Sequence, residues 1–137
     1  MSITTRRKAR DSVYKLVFEY LFTNKINQKL LETTYIVNLP KEDVEYTQTV
    51  YFGVIERFQD LKIYVEKYAE GFVFERIYKT DLAAILIATY EIIYMKDIPN
   101  NVAIAEAIEL VKKYSTPKSG SFVNGVLSAI NKDVSKG

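Results

Sequence analysis

The chain has 137 residues, of which 48% are hydrophobic and 26% charged, so its length and composition predict one globular domain spanning residues 1–137. It contains no Cys and no His, which excludes disulfides, thiolate metal sites and the commonest general base. The net charge of +2 is uneven, because residues 1–15 and 112–137 carry +4 each and residues 16–111 carry −6. If the two basic ends meet in space, they predict one basic face on an acidic body.

The first predicted helix covers about residues 5–22, where Val13, Leu16 and Val17 start an apolar stripe of helical period. Its first turns carry a cluster of cations, although the helix dipole favours acids there. Such a placement costs roughly a few tenths of a kcal/mol per charge. The cluster is either a solvated, frayed start or an anion-binding site, and it consists of Arg6, Arg7, Lys8 and Arg10.

Two further helices complete the predicted N-terminal half, about residues 1–70. A short one covers 26–36, and a long one runs from about 41 to 70, where Gly71 stops it. Gly53 lies inside the long helix, at a cost of about 1 kcal/mol against Ala, and permits close approach of another helix. Residues 72–79 alternate weakly between apolar and polar side chains, as a strand would. A lone strand has no pairing partner, however, so we predict a helical turn or connector here.

The predicted C-terminal half, about residues 80–132, contains three helices. Thr80 or Asp81 caps a central apolar helix over 81–95, and two amphipathic helices follow within 101–130. Residues 132–137 are expected to form a frayed tail. The sequence therefore predicts an all-α protein of about seven helices in two packed three-helix halves.

A polar corner joins the last two helices. Thr116 as N-cap and Pro117 at the first helical position predict a helix start. With Lys118, Ser119 and Ser121 the corner could bind phosphate, or these residues merely cap a helix. Phe122 beside it could stack an unpaired base or pack in the core.

The sequence contains no motif that indicates a catalytic, cofactor or metal site. The motifs of nucleotide-binding loops, zinc proteases and serine hydrolases are absent, and we expect no catalysis, no cofactor and no metal. The acids Glu42, Asp43, Glu45, Glu106 and Glu109 are interpreted as solvated helix faces. The most apolar run, 82–95, is too short to span a bilayer, and no secretory signal follows the basic start. We therefore expect a cytoplasmic protein with no membrane segment.

Four segments carry a resemblance to a known family: RRKAR at 6–10, DLAAILIATYEI at 81–92, DIPNNVAIAEAIELVKKY at 97–114 and KSGSFVNGVLSAI at 118–130. Over nearly its whole length the chain resembles the NusB family of bacterial transcription antitermination factors. The resemblance implies an all-helical fold and binding of boxA-type RNA together with NusE, a ribosomal small-subunit protein. It further implies membership of an RNA polymerase antitermination complex that supports readthrough of rRNA operons.

The resemblance also implies site residues. RNA contacts are expected at the basic start, Arg6, Arg7, Lys8 and Arg10, and at the corner, Lys118, Ser119 and Phe122. Phe18 and Asp81 fall where members of the family meet NusE. Members of the family are monomers or dimers, so the resemblance is compatible with a homodimer.

Four positions depart from the family pattern: Lys15 in place of Gln, Val111 in place of Ala, Leu86 in place of Arg and Ala105 in place of Asn. Of these, Leu86 and Ala105 replace a polar residue by an apolar one. Either a buried polar pair has been replaced as a unit, or an exposed apolar patch is enlarged. The competing function is a NusB-like protein-interaction scaffold that does not bind RNA itself. Whether the two basic clusters share one face distinguishes the two functions.

Overall fold

The structure, a computed structural model, describes residues 3–136, with side chains from 5 to 135. In that part of the chain there are seven α-helices and no strand: α1 (Ile3–Thr23), α2 (Gln28–Leu30), α3 (Lys41–Glu56), α4 (Phe58–Tyr68), α5 (Lys79–Tyr94), α6 (Asn100–Tyr114) and α7 (Ser119–Lys136). The predicted all-α class is confirmed.

Helix α5 lies at the centre because it is apolar on every side. Its residues from Leu82 to Ala88 are at most 4% exposed, and α1, α3, α4, α6 and α7 all pack against it. The core is continuous across α1 and α3 to α7.

Helix α1 buries the stripe that its sequence predicts, with Val13, Leu16 and Val17 fully buried. It packs on α3 and α5, and its contacts extend to α6. The basic first turns of α1 consequently lie beside α6 and near the chain's second basic cluster.

The prediction of one long helix over 41–70 is wrong, because the helix is interrupted at Arg57. Arg57 has φ −99° and ψ 17°, outside helical values, and after it α4 packs against α5 and α7. The apolar period continues through the break, so periodicity could not reveal it. Gly71 has φ 82°, the left-handed conformation expected of a stop signal. A 3-10 turn at Phe74–Arg76 confirms that 72–79 is a connector.

The predicted short helix over 26–36 is wrong in its extent. Only one α-turn forms, capped by the Asn27 side chain, which accepts from the Leu30 N–H at 3.0 Å. A π-helical turn over Leu31–Tyr35 follows, in which the Ile36 N–H reaches the Leu31 carbonyl at 3.2 Å. Ile26 is 46% exposed instead of joining the core.

The predicted frayed tail over 132–137 is also wrong for the residues that the structure describes. Helix α7 continues to Lys136, and Val134 packs against the core. Gly137 lies outside the described residues. The apolar stripe of the preceding turns therefore extends one turn further than predicted.

Gly53 permits the close helix approach that the sequence predicts. A Cβ at this position would overlap the Tyr90 ring of α5. The Tyr90 ring thus occupies the space that a side chain at position 53 would take.

A buried ionic cluster joins α1, α3 and α5. The Arg10 guanidinium donates to both Glu91 carboxylate oxygens at 3.1 Å, and the Tyr46 hydroxyl donates to the same carboxylate. Burial and the Glu91 charge raise the pKa of Tyr46, so its hydroxyl stays protonated as a donor. The side chains of Arg10 and Glu91 are only 6% and 1% exposed, so each charge depends on the other for compensation.

Replacing Arg10 by Met should lower the free energy of unfolding by about 3–5 kcal/mol, because the Glu91 carboxylate stays buried without its cation. Urea denaturation measures the change. Lys112→Met is the matched control, since its pair with Glu109 is exposed on both sides and should contribute about 0–1 kcal/mol. Equal losses in the two variants would contradict a structural role for the buried pair.

Candidate nucleic-acid interface

The four predicted RNA-binding cations on α1 differ in whether they already bind partners within the protein. Arg6 donates to Asp43 at 2.9 Å and lies over the Tyr46 ring at 4.4 Å, while Arg10 is held by Glu91. Arg7 and Lys8 are exposed. Lys8 forms no ion pair or side-chain hydrogen bond with the residues that the structure describes. Arg6 and Arg10 therefore anchor α1, and Arg7 and Lys8 face outward.

Arg7 is exposed but not free of partners. Its guanidinium donates to the Glu106 carboxylate of α6 through Nε at 3.1 Å and Nη2 at 3.0 Å. The Arg7 side chain is 60% exposed and that of Glu106 only 13%. Arg10 also approaches Glu106, at 3.4 Å. Glu106 is therefore a fixed acceptor at the edge of the core, from which Arg7 reaches into solvent.

The interpretation of Asp43 and Glu106 as solvated acids is wrong. The Asp43 side chain is fully buried on Arg6, and Glu106 joins α6 to α1. Both acids fall on the core-facing stripe of their helix, as does Glu91 within the apolar run of α5. An acid at a core-facing register is the sequence signal that identifies such partners.

A groove of about 830 Å³ lies between α1, the segment 34–39 and α6. Its lining includes five cations from both ends of the chain, Arg7, Lys8, Arg10, Lys112 and Lys113. Three carboxylates, Asp11, Glu106 and Glu109, share it. The N-terminal cluster and the Lys112–Lys113 part of the second cluster therefore share one face, as the sequence analysis required for RNA binding.

Asp11 organises the wall of this groove. It accepts from the Tyr114 hydroxyl at 2.6 Å and pairs with Lys15 at 3.1 Å and Lys113 at 3.4 Å. Burial acts to raise the pKa of Asp11, but hydrogen bonds from Tyr114 and Lys15 outweigh it and leave the pKa below the ordinary 3.8. The Tyr114 ring stacks on Tyr14 at 5.2 Å, which fixes α6 against α1.

The corner before α7 is a closed hydrogen-bonded cluster. Helix α7 begins at Ser119, two residues after the predicted start, and the Ser119 side chain is buried. The Ser119 hydroxyl accepts from the Thr116 N–H at 3.1 Å and donates to Ser115 Oγ at 2.9 Å. Ser115 in turn donates to Asp81 at 2.6 Å. Ser119 and Asp81, assigned to two different partners by the resemblance, thus belong to one internal cluster.

Lys118 and Phe122 frame the outside of the corner. Lys118 is exposed and has no ion pair with the described part of the chain, and it does not line the groove. The half-buried Phe122 ring contacts Phe72 at 4.6 Å between centroids. Phe72 is 54% exposed, so it presents more aromatic surface than Phe122. The sequence analysis did not single out Phe72, although it follows the helix-stop glycine, where an exposed loop is expected.

An apolar patch lies at the other end of α1. The half-buried Phe18 contacts Phe22 edge-on at 5.0 Å, and the Phe22 and Tyr78 side chains are 63% and 64% exposed. Lys79 Nζ lies 5.1 Å from the centre of the Phe22 ring, which brings α5 to the same place. We call Phe18 and Phe22, together with the exposed Tyr78 that precedes Lys79 in the chain, the aromatic patch. Phe22 and Tyr78 were not among the predicted site residues.

The two polar-to-apolar departures from the family pattern have different surroundings. Leu86 is fully buried in the core, and Ala105 is exposed on α6. They therefore do not replace a buried pair as a unit. A single exposed methyl group at Ala105 adds little to any apolar surface.

Other kinds of site find no support in the described residues. No group of three His, Cys, Asp or Glu side chains between residues 3 and 136 is placed to hold a metal ion. Within the same range, every helix is too short or too polar to cross a membrane.

Comparison with known proteins links this arrangement to one family. The model of the NusB family matches residues 7–132. The transcription antitermination protein NusB of Thermoanaerobacter sp. (strain X514) is 36% identical over 128 residues, which cover 93% of this chain and 91% of that protein. Its counterpart in Agathobacter rectalis is 38% identical over 127 residues, covering 90% and 97%.

Solved structures agree with the sequence comparison. T. maritima NusB superposes with a TM-score of 0.86 at 33% identity, covering 93% of this chain and 91% of that one. A crystal structure of the antitermination factors NusB and NusE in complex with dsRNA gives a TM-score of 0.83 at 25% identity. It covers 96% of this chain and 99% of the matched chain.

Asp11 should make part of the fold's stability depend on pH. Because its pKa is lower in the folded protein, its contribution is complete above the unfolded value near 3.8 and is lost as the pH falls through the lower folded value. Asp11→Asn keeps a hydrogen-bond acceptor but cannot titrate. The difference in unfolding free energy between wild type and this variant should shrink from pH 7 towards pH 2, measured by urea denaturation. A difference that is constant with pH would contradict the assignment.

Proposed function

The chain belongs to the NusB family, and on that premise we propose that it is a transcription antitermination factor that binds RNA together with NusE. The observation that carries this function is the groove in which cations from both ends of the chain meet. Lys and Arg side chains gathered on one face neutralise phosphates, which is the sequence-independent part of RNA affinity.

We assign the phosphate contacts to the exposed cations. Arg7, Lys8 and Lys118 come from the predicted set, and Lys112 and Lys113 join them because they line the same groove as Arg7 and Lys8. Lys118 lies outside the groove, in the turn before α7. Arg6 and Arg10 would have to leave Asp43 and Glu91 to reach RNA. Their proposed role is therefore to hold α1 in place, so that its outward cations are fixed before RNA arrives.

At the corner, we propose that bases stack on the aromatic pair instead of bonding to Ser119. Proteins bind single-stranded RNA by stacking its bases on aromatic side chains, and each stacked base contributes about 1–3 kcal/mol. Phe72 offers the exposed ring, and Phe122 supports it from below. Ser119 keeps the turn in shape through Ser115 and Thr116.

The proposed NusE surface is the aromatic patch together with the region of Asp81. Exposed aromatic side chains are enriched in protein interfaces and are costly to leave in water. Tyr14 lies one helical turn before Phe18, and its hydroxyl donates to the Thr80 carbonyl at 2.8 Å, next to Asp81. Phe18 therefore lies near the start of α5, where the Asp81 side chain is buried on Ser115 and would act by shaping the surface.

The remaining parts of the function follow from this role. As an antitermination factor the protein would act in the cytoplasm within an RNA polymerase complex that reads through rRNA operons, without catalysis. Residues 1–137 would act as one domain with its halves at about 1–70 and 80–132. A homodimer would use one of the two surfaces described, and would compete with the corresponding partner.

Binding of a labelled boxA-type RNA, with and without NusE, across a salt series tests the function. NusE should tighten binding by adding a second surface. Removing one phosphate contact with Arg7→Ala, Lys8→Ala or Lys118→Ala should reduce the salt slope by about 0.7. Lys132→Ala is the matched control, because Lys132 is exposed beside the Lys67–Asp133 pair on the α4 side.

The opposite result would favour the scaffold function. Folded protein that binds NusE but binds no RNA under either condition would show that the groove is not an RNA surface. An equal effect of Lys132→Ala on the salt slope would show non-specific attraction only.

Glu106→Gln should strengthen RNA binding, because the Glu106 carboxylate competes with phosphate for Arg7. Because an exposed ion pair is weak, we expect a modest gain in affinity, about 1.4- to 5-fold, with a steeper salt slope. Glu66→Gln is the control, since Glu66 is exposed on α4, which does not line the groove. It removes the same charge without releasing Arg7. Weaker binding by Glu106→Gln would mean that Glu106 orients Arg7 for RNA instead of competing for it.

A further inference from the structure

The groove has a feature that phosphate binding does not require, an apolar floor. Tyr35 and Leu39 of the segment after α2 and Leu110 of α6 line it beneath the cations. Leu110 is 7% exposed, whereas Tyr35 and Leu39 are half-buried and so keep surface open to a ligand. A site for phosphate alone would gain nothing from this apolar surface.

The segment that supplies Tyr35 is anchored in the fold. Leu31 is fully buried, and the π-helical turn that begins there ends with Tyr35. Asn27 caps the preceding turn and donates from its side-chain amide to Glu19 of α1 at 3.1 Å. Tyr35 is therefore presented beside α1 on a braced turn.

Polar side chains stand beside this floor without partners of their own. The Asn38 amide and the Thr34 hydroxyl line the groove and are exposed, and neither forms a hydrogen bond with the residues that the structure describes. The amide offers donors and an acceptor, which are the groups that meet a base edge. The groove thus combines an aromatic ring, free hydrogen-bonding groups and a rim of cations.

Size and charge select the ligand. A volume of about 830 Å³ falls in the range of about 300–1,000 Å³ typical of small-ligand pockets. The five cations and three carboxylates of the lining leave the groove net positive, which favours an anionic ligand with an unsaturated, flat part. A nucleotide of single-stranded RNA has both properties.

We propose that this groove is a nucleotide subsite, in which one unstacked RNA base lies on Tyr35 and its phosphate is bound by Arg7 and Lys8. Asn38 supplies hydrogen bonds to the base edge and Leu39 and Leu110 complete the apolar contact. The subsite rests on the proposed RNA-binding function and adds base recognition to it, by residues of the segment after α2 that lie outside the basic start and the corner.

The test is a walk of single abasic nucleotides along the RNA, with affinity measured by fluorescence anisotropy. In wild type, one abasic position should lose the stacking energy, about a 5- to 150-fold weakening. Tyr35→Leu, which keeps apolar bulk but removes the ring, should weaken binding of intact RNA by a similar factor. The same variant should be insensitive to the abasic nucleotide at that position, with its salt slope unchanged.

Two control variants separate stacking from loss of structure. Tyr35→Phe keeps the ring and should bind like wild type. Tyr64→Leu makes the same change at a half-buried tyrosine of α4, in a separate groove with Ile63 and Lys67, and should leave affinity unchanged. Thermal unfolding of each variant establishes that it is folded.

The outcomes are distinguishable. If wild type binds no RNA, the proposed function itself fails. If wild type binds RNA but no abasic position is coupled to Tyr35, the nucleotide subsite is overturned while the function stands. If Tyr35→Leu weakens binding of NusE in the absence of RNA, the groove is a protein surface and the subsite is likewise overturned.

Discussion

The ion pair between Arg10 and Glu91 is the constraint on which the rest of the molecule depends. It lies in a largely apolar core, and its members come from the first basic turns of α1 and from the central helix α5. A buried charge is tolerated only with its partner in place, so this pair fixes the register of α1 on α5. Everything that α1 presents to solvent, from Arg7 to Phe22, is positioned by that register.

A protein that binds polyanions must keep its cations available, and this chain keeps only some of them so. Arg6 and Arg10 form ion pairs with buried carboxylates, Arg7 forms an ion pair with Glu106, and Lys8 is exposed. The basic start therefore carries less free charge than its composition suggests. We therefore expect a weak intrinsic affinity for RNA, as for a factor that acts together with a second protein.

The sequence predicted the fold class and most of the helices, because apolar residues at helical spacing report directly on burial. It did not reveal the break at Arg57 or the π-helical turn before Ile36, where the backbone changes while the period continues. The predicted RNA-contact residues stay predictions, but the structure shows which of them are accessible. Lys8 and Lys118 are exposed as an RNA contact requires, but the partners of Arg6, Arg7 and Arg10 lie 37 to 99 residues away in the chain. Such pairs depend on tertiary structure, which a local pattern does not contain.

Helix α1 carries the groove cations near its start and the aromatic patch near its end. Arg7 and Phe22 are 15 positions apart on one continuous helix, or about 22 Å at 1.5 Å per residue. Helix α1 therefore acts as a ruler, setting both the distance and the angle between the two surfaces. An inserted or deleted residue between them would turn one surface by about 100° relative to the other, even if every side chain were kept. The length of α1 therefore determines how the groove and the aromatic patch are placed relative to each other.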